Sequence, residues 1–202
     1  MMATGRFQWI RRLIDGGAFG TLTVASGQMA NLGPAAWKEY TGDPGVFYSA
    51  GVGPVMDTGV YVLHGMTGLL GPAKRVQAFA GITIPQRTVT IPRLAGQTIT
   101  VESPDVNIIG LDFGDNGFGQ VLSTFAVPGT NGPAMEVHGS LASLRSTPVN
   151  GTRPIAQLTS FCREWCPRRG GLAPQFAESD PTGTAGGTSH LVGPASLCRL
   201  SC

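Results

Sequence analysis

The chain has 202 residues, 42% of them hydrophobic and only 13% charged, with 30 Gly, 15 Pro and a formal net charge of +2. That length suits one domain of ordinary size plus a tail, and so low a charge content excludes a highly charged disordered chain. With the basic residues few and scattered, electrostatic binding to nucleic acid is not expected. Membrane insertion is not expected either, because residues 60–70 are broken by His64, Gly65, Thr67 and Gly68 and no run reaches the roughly 18 apolar residues of a span. Near the start, Arg6 is followed by only Phe7 to Ile10 and then Arg11-Arg12, which is not the apolar stretch of a secretion signal. A cytoplasmic protein is expected.

Thr4 is placed to cap a helix over residues 4–16, in which Phe7, Ile10 and Ile14 recur on one face and Gly16-Gly17 supplies the stop. Residues 21–30 read as a strand whose buried face carries Leu22, Val24 and, after a slip at Ala25 to Gly27, Met29. Residues 31–52 form a long loop. Loops of that length in compact domains are functional or disordered, and Trp37, Tyr40, Phe47 and Tyr48 argue for order. Residues 54–70 predict a second helix, apolar on most sides and closed by Gly71-Pro72. The period then changes to two, giving about five further strands. Their markers are Val76, Ala78 and Ala80; Ile99 and Val101; Ile109, Leu111 and Phe113; Val121, Ser123 and Phe125; Met135 and Val137. Gly114-Asp115-Asn116-Gly117 between two of these runs is a hairpin signal. Helices first and strands after predict an α+β fold.

All four cysteines, Cys162, Cys166, Cys198 and Cys202, fall in the last 41 residues. Periodicity fades beyond Arg145, so the expected organisation is a domain over 1–145 and an irregular tail over 146–202. The two Cys-x-x-x-Cys pairs have a spacing that zinc tolerates but does not require; Pro167, the adjacent arginines and a terminal Cys oppose it, and no metal is expected. Disulfides are not expected without a secretion signal. Arg outnumbers Lys 12 to 2, the mark of a GC-rich gene, whose out-of-frame translation is rich in Arg, Pro, Gly, Ala, Ser and Cys. The tail is read as out of frame or disordered.

Several stretches carry a resemblance. They are Arg11-Arg12-Leu13-Ile14-Asp15-Gly16-Gly17 with Gly20, Gly33-Pro34 with Trp37, and Phe47-Tyr48. Gly51-Val52-Gly53-Pro54-Val55-Met56-Asp57-Thr58-Gly59-Val60-Tyr61 follows, then Leu69-Leu70-Gly71-Pro72 and Lys74-Arg75-Val76. In this order and spacing they resemble the C-terminal domain of the Gfo/Idh/MocA oxidoreductases, from about Arg6 to Leu144. The resemblance implies an open-faced, largely antiparallel sheet with helices on one face, as in glucose-fructose oxidoreductase-like enzymes. It also implies a two-domain enzyme acting on a sugar, polyol or related hydroxy or keto compound, with NAD or NADP bound by an N-terminal Rossmann domain and homo-oligomers formed through the open sheet face.

This chain resembles the second domain alone, and Met1-Met2 almost at the edge of a helix suggests a truncated gene model. A Rossmann cradle needs a strand, a G-x-G-x-x-G turn and a helix. Gly114 to Gly119 lies between strands and Gly183 to Gly187 lies in the tail. No cofactor-binding residue is assigned, the chain is not expected to hold NAD(P) tightly, and it is expected to be inactive alone. A noncatalytic sugar-binding or dimerisation module of the same fold is the alternative.

The family's D-x-x-x-H pair reads Asp57 and Tyr61 here, and its catalytic lysine belongs to the other domain. On a regular helix, at about 100° per residue, Asp57, Tyr61 and His64 fall within about 40° of one another. Oxidising an alcohol needs a base for the hydroxyl proton, and a phenol with a reference pKa near 10 needs a nearby cation to serve. Tyr61 is therefore the candidate proton donor or acceptor, Asp57 its orienting partner and His64 a supporting group, against the plain alternative that all three serve packing. Trp37, Lys38 and Tyr48 are the candidate substrate-binding residues, offering stacking faces and a cationic donor; loop aromatics also simply anchor loops. His138 receives no role.

Overall fold

The computed structural model describes residues 5–115, 117–146 and 156–160. Thr4, the four cysteines and nearly all of the expected tail lie outside them. The first helix, α1 (Gly5–Asp15), buries Phe7, Ile10 and Leu13, with Ile14 partly covered. Gly17 at φ 78° turns the chain away, a backbone state that disfavours a side chain. Strand β1 (Leu22–Ala30) follows, with a bulge between Leu22 and Val24. The bulge corrects the expected face: Val24 points to solvent, while Ala25 and Gly27 are buried.

The long loop is ordered by two short 3-10 turns, Pro34–Ala36 and Pro44–Tyr48. Each opens on a proline with φ suited to the turn, and the Asp43 carboxylate caps the second by accepting the Gly45 N–H at 2.8 Å. The second helical segment differs from a uniform helix buried on most sides. It opens as a π-helical turn, Val55–Gly59, and only then becomes α2 (Val60–Leu70). Val62, Met66 and Leu69 are buried, whereas Met56, Val60, Tyr61 and His64 are exposed, so the segment has a wet face as well as a dry one. Arg11 of α1 donates through Nη1 to the carbonyl of Gly68 at 3.0 Å, satisfying an orphan acceptor at the end of α2, and Gly71 at φ 88° ends the helix.

Among the described residues eight strands follow where about five were expected: β2 (Arg75–Gly81), β3 (Gln86–Thr88), β4 (Thr98–Thr100), β5 (Val106–Gly114), β6 (Gly117–Thr124), β7 (Met135–Gly139), β8 (Ala142–Ser146) and β9 (Ala156–Ser160). Seven of these nine described strands form one sheet in the order β2-β5-β6-β1-β7-β8-β9, antiparallel throughout except for the parallel pair β1 and β6. The fold is α+β. Gly114 pairs with Gly117, so the glycine-rich link is the turn of the β5–β6 hairpin, with Asp115 at φ 48°. The run at Ile99 and Val101 is not in this sheet: β4 pairs only with β3, as a separate two-stranded insert.

Both helices cover the same sheet face. Phe7, Ile10 and Leu13 of α1 and Val62, Met66 and Leu69 of α2 share one core with Ala25, Ile109, Leu111, Val121, Val137 and Leu144. Gly27 makes that contact possible, since a Cβ there would stand 2.3 Å from Cγ1 of Val62. The loop and the insert make a second core from Ala35, Tyr48, Val89, Ile91, Val101 and Phe125. The other sheet face is open. Phe79, Ile108 and Leu122 lie side by side across β2, β5 and β6, with Val24 next to Phe118 beyond them. Phe79 is 79% exposed, and the edge strand β2 is exposed along its whole length, including Val76 and Ala78 opposite buried Leu111 and Ile109.

Candidate active site

Asp57 sits in the π-helical turn at the head of α2. Gly51 at φ 82° and Gly53 at φ 61° aim the chain into it, and Gly53 lies so close to Ser103 and Pro104 that a Cβ would stand 2.7 Å from the Ser103 hydroxyl. The turn itself rests on β6 through Gly59, where a Cβ would meet Oγ of Ser123 at 2.6 Å. Thr58 Oγ1 donates back to the Pro54 carbonyl at 3.2 Å. A π turn spans i to i+5 and winds less per residue than an α turn, which shifts Asp57 relative to Tyr61 and His64 from the alignment of a uniform helix. Such turns recur at functional sites.

Asp57 is half-buried, and burial alone pushes its carboxyl above the usual carboxylate range. Tyr61 is 51% exposed and His64 is exposed, and among the described residues neither side chain has a hydrogen-bond partner. Tyr61 and His64 thus face outward, with their polar atoms available to a ligand, and the half-buried Asp57 precedes them on the same segment. Among the described residues no set of three His, Cys, Asp or Glu side chains is placed to hold a metal.

The loop residues divide. Trp37 is 56% exposed, lies 5.6 Å from the Tyr40 ring, and through Tyr40 continues to Phe47 at 5.8 Å; Lys38 beside it is exposed. Tyr48 is different. At 1% exposure its hydroxyl accepts the Ala35 N–H at 3.2 Å and donates to the Leu32 carbonyl at 3.5 Å, so the phenol braces the loop and is not presented to a ligand as Trp37 and Lys38 are. Burial raises the Tyr48 pKa most; the Ala35 bond and Arg87 work against this, while the charges of Asp57 and Asp105 add to it.

Sequence reasoning passes over Arg87 and Asp105. Their side chains are 8% and 1% exposed and form an ion pair at 2.6 Å, with the Arg87 guanidinium 5.8 Å from the Tyr48 ring centre. Burial pushes the Asp105 pKa up, but the N–H groups of Thr83 and Ile84, the Thr83 hydroxyl and Arg87 together hold it below the usual carboxylate range. A signal was available: Arg87 alternates with Val89 and Ile91, both buried, and so occupies an inward position.

The domain family described as the GFO/IDH/MocA C-terminal domain matches residues 7–145. Among solved structures, an NAD binding oxidoreductase from Klebsiella pneumoniae is 22% identical, with a TM-score of 0.57, over 72% of this chain and 38% of its own. The transcriptional regulator Gal80p from Kluyveromyces lactis is 12% identical, with a TM-score of 0.60, over 78% and 44%. The WlbA dehydrogenase from Bordetella pertussis, solved with NADH and UDP-GlcNAcA, is 15% identical, with a TM-score of 0.54, over 76% and 43%. A comparison with curated proteins gave no match. The chain spans less than half the length of these structures, and at such identities they show a shared fold. By the extent of the family match and by that fold, this chain belongs to the Gfo/Idh/MocA oxidoreductase family, as its C-terminal domain.

Proposed function

We propose that this chain is the substrate-binding half of an NAD(P)-dependent oxidoreductase acting on a sugar, polyol or related hydroxy or keto compound, working in the cytoplasm. The observation that carries this is Asp57 in a π-helical turn beside outward-facing Tyr61, at the position of the family's catalytic pair. No strand, glycine turn and helix among the described residues forms a dinucleotide cradle, since Gly114 and Gly117 close a hairpin. By the family's pattern, hydride chemistry is assigned to a nicotinamide held on a separate domain. Proton handling is the part that these residues can serve: the Tyr61 hydroxyl exchanges a proton with the substrate oxygen, and Asp57 accepts or donates a hydrogen bond that orients it. Trp37 provides a stacking face for a sugar ring and Lys38 a cationic donor.

Titrating the chain with a panel of hexoses and polyols while following tryptophan fluorescence tests this. Saturable binding that Asp57→Ala and Trp37→Ala each weaken by about tenfold, equal to about 1.4 kcal/mol, supports it. Absence of binding, or binding indifferent to both, overturns it. A noncatalytic module is favoured by one observation, that Tyr61 stands where the family's pair has a histidine, and Gal80p shares the fold. Adding the cofactor domain of a family enzyme separates the two: turnover with NAD(P) favours the first reading and sugar binding without turnover the second. The proposed domain is residues 1–145, with self-association through the open sheet face.

A further inference from the structure

We propose that the buried Arg87–Asp105 ion pair is a positioning device that holds the aromatic loop and the entry to the Asp57 turn together as one wall of the substrate site. This rests on the reading of Trp37 and Asp57 as substrate-facing groups. Three segments meet at the pair. Asp105 accepts from the backbone of Thr83 and Ile84 at 2.7 and 3.1 Å, fixing the start of the insert. Arg87 Nη1 donates to the Phe125 carbonyl at 2.9 Å, tying the insert to the end of β6. Its guanidinium also lies against Tyr48, whose hydroxyl receives the Ala35 N–H and whose carbonyl receives the Glu102 N–H at 2.8 Å. From Glu102 the chain runs directly through Ser103 and Pro104, the residues against which Gly53 closes, four positions before Asp57.

Stability alone does not account for such a pair. Taking two charges out of water offsets most of their attraction, and well-packed apolar residues of the same volume serve a core equally well. Arg87 also leaves its Nε buried with no partner among the described residues, a further cost. What an apolar pair cannot supply is direction. The fork of the guanidinium and the two carboxylate oxygens set the insert, β6 and the loop at fixed mutual angles.

Amide hydrogen exchange on the full chain tests this in Arg87→Met, Arg87→Lys and Asp105→Asn. The expected result for Arg87→Met and Asp105→Asn is exchange about tenfold faster at Ala35, Thr83, Ile84 and Glu102, with the amides of β5 and β6 changed less than about twofold. Arg87→Lys, which keeps the charge and loses the fork, should recover only the Thr83 and Ile84 amides. Uniform acceleration across the sheet would mean that the pair merely supports global stability, and unchanged exchange at Ala35 would mean that it does not govern the loop; either overturns the proposal. Should the charge-removing variants fail to fold, Tyr48→Phe keeps the test alive, because loss of the hydroxyl should free Ala35 and leave Thr83 and Ile84 protected. Sugar binding is measured alongside. If the parent chain binds no sugar while the exchange pattern is selective, the functional reading fails and the loop-holding role stands; if it binds, Arg87→Met should weaken binding about tenfold without touching Trp37.

Discussion

Two carboxylates in this domain carry opposite shifts, and each predicts its own pH behaviour. Asp57 has a folded pKa raised above 3.8 by burial, so the folded state prefers the protonated form and stability falls as pH rises from about 3.8 through the folded value. Asp57→Asn should therefore melt at a higher temperature than the parent at pH 7 and at the same temperature at pH 3, measured by circular dichroism. Asp105 is the reverse: its folded pKa is lowered, so its contribution is present above 3.8 and is lost as pH falls through the folded value. Asp105→Asn removes this titration, so its urea-unfolding midpoint should fall less than the parent's between pH 7 and pH 3. Gly59→Ala adds a methyl 2.6 Å from the Ser123 hydroxyl and should cost about 1–3 kcal/mol while displacing the Asp57 turn.

At the level of elements, the join between α1 and α2 is the simplest to probe. Arg11 is half-exposed, and its pair with Asp15 at 3.0 Å adds little, but its bond to the Gly68 carbonyl caps α2. Arg11→Ala should lower stability by about 0.3–1 kcal/mol in the same unfolding assay. The elements also show how far local pattern reaches. The limits of α1 and the β5–β6 hairpin were legible because side-chain period and turn residues determine them within a few positions. The flip at Val24 was not, because a bulge is decided by the fit between β1 and β7. Nor was the π-helical start of the second helical segment, where Gly59 packs against Ser123, 64 residues away in sequence.

Over the whole molecule the two sheet faces differ in kind. One is sealed by both helices; the other presents Phe79, Ile108 and Phe118, at 79%, 53% and 50% exposure, beside the open edge of β2. An exposed apolar surface of this sort seeks a cover, and a second copy is the proposed one. Light scattering at micromolar concentration should show a dimer or larger species for the parent chain and a monomer for Phe79→Asp combined with Ile108→Asp. A parent monomer would show that the open face needs no cover in solution.

By itself the sequence determined both helices, the main run of strands, the class of fold and the family, because these rest on periodicity, turn chemistry and the spacing of motifs. It also placed Asp57 and Tyr61 at the head of one helical segment. Tertiary structure decided which side chains remain available. Tyr48 and Trp37 stand in the same loop with similar aromatic character, yet one is buried against Arg87 and the other faces water. Burial of a given residue depends on what the rest of the chain brings against it. Here that is the inserted hairpin and Asp105, which no local pattern connects to the loop.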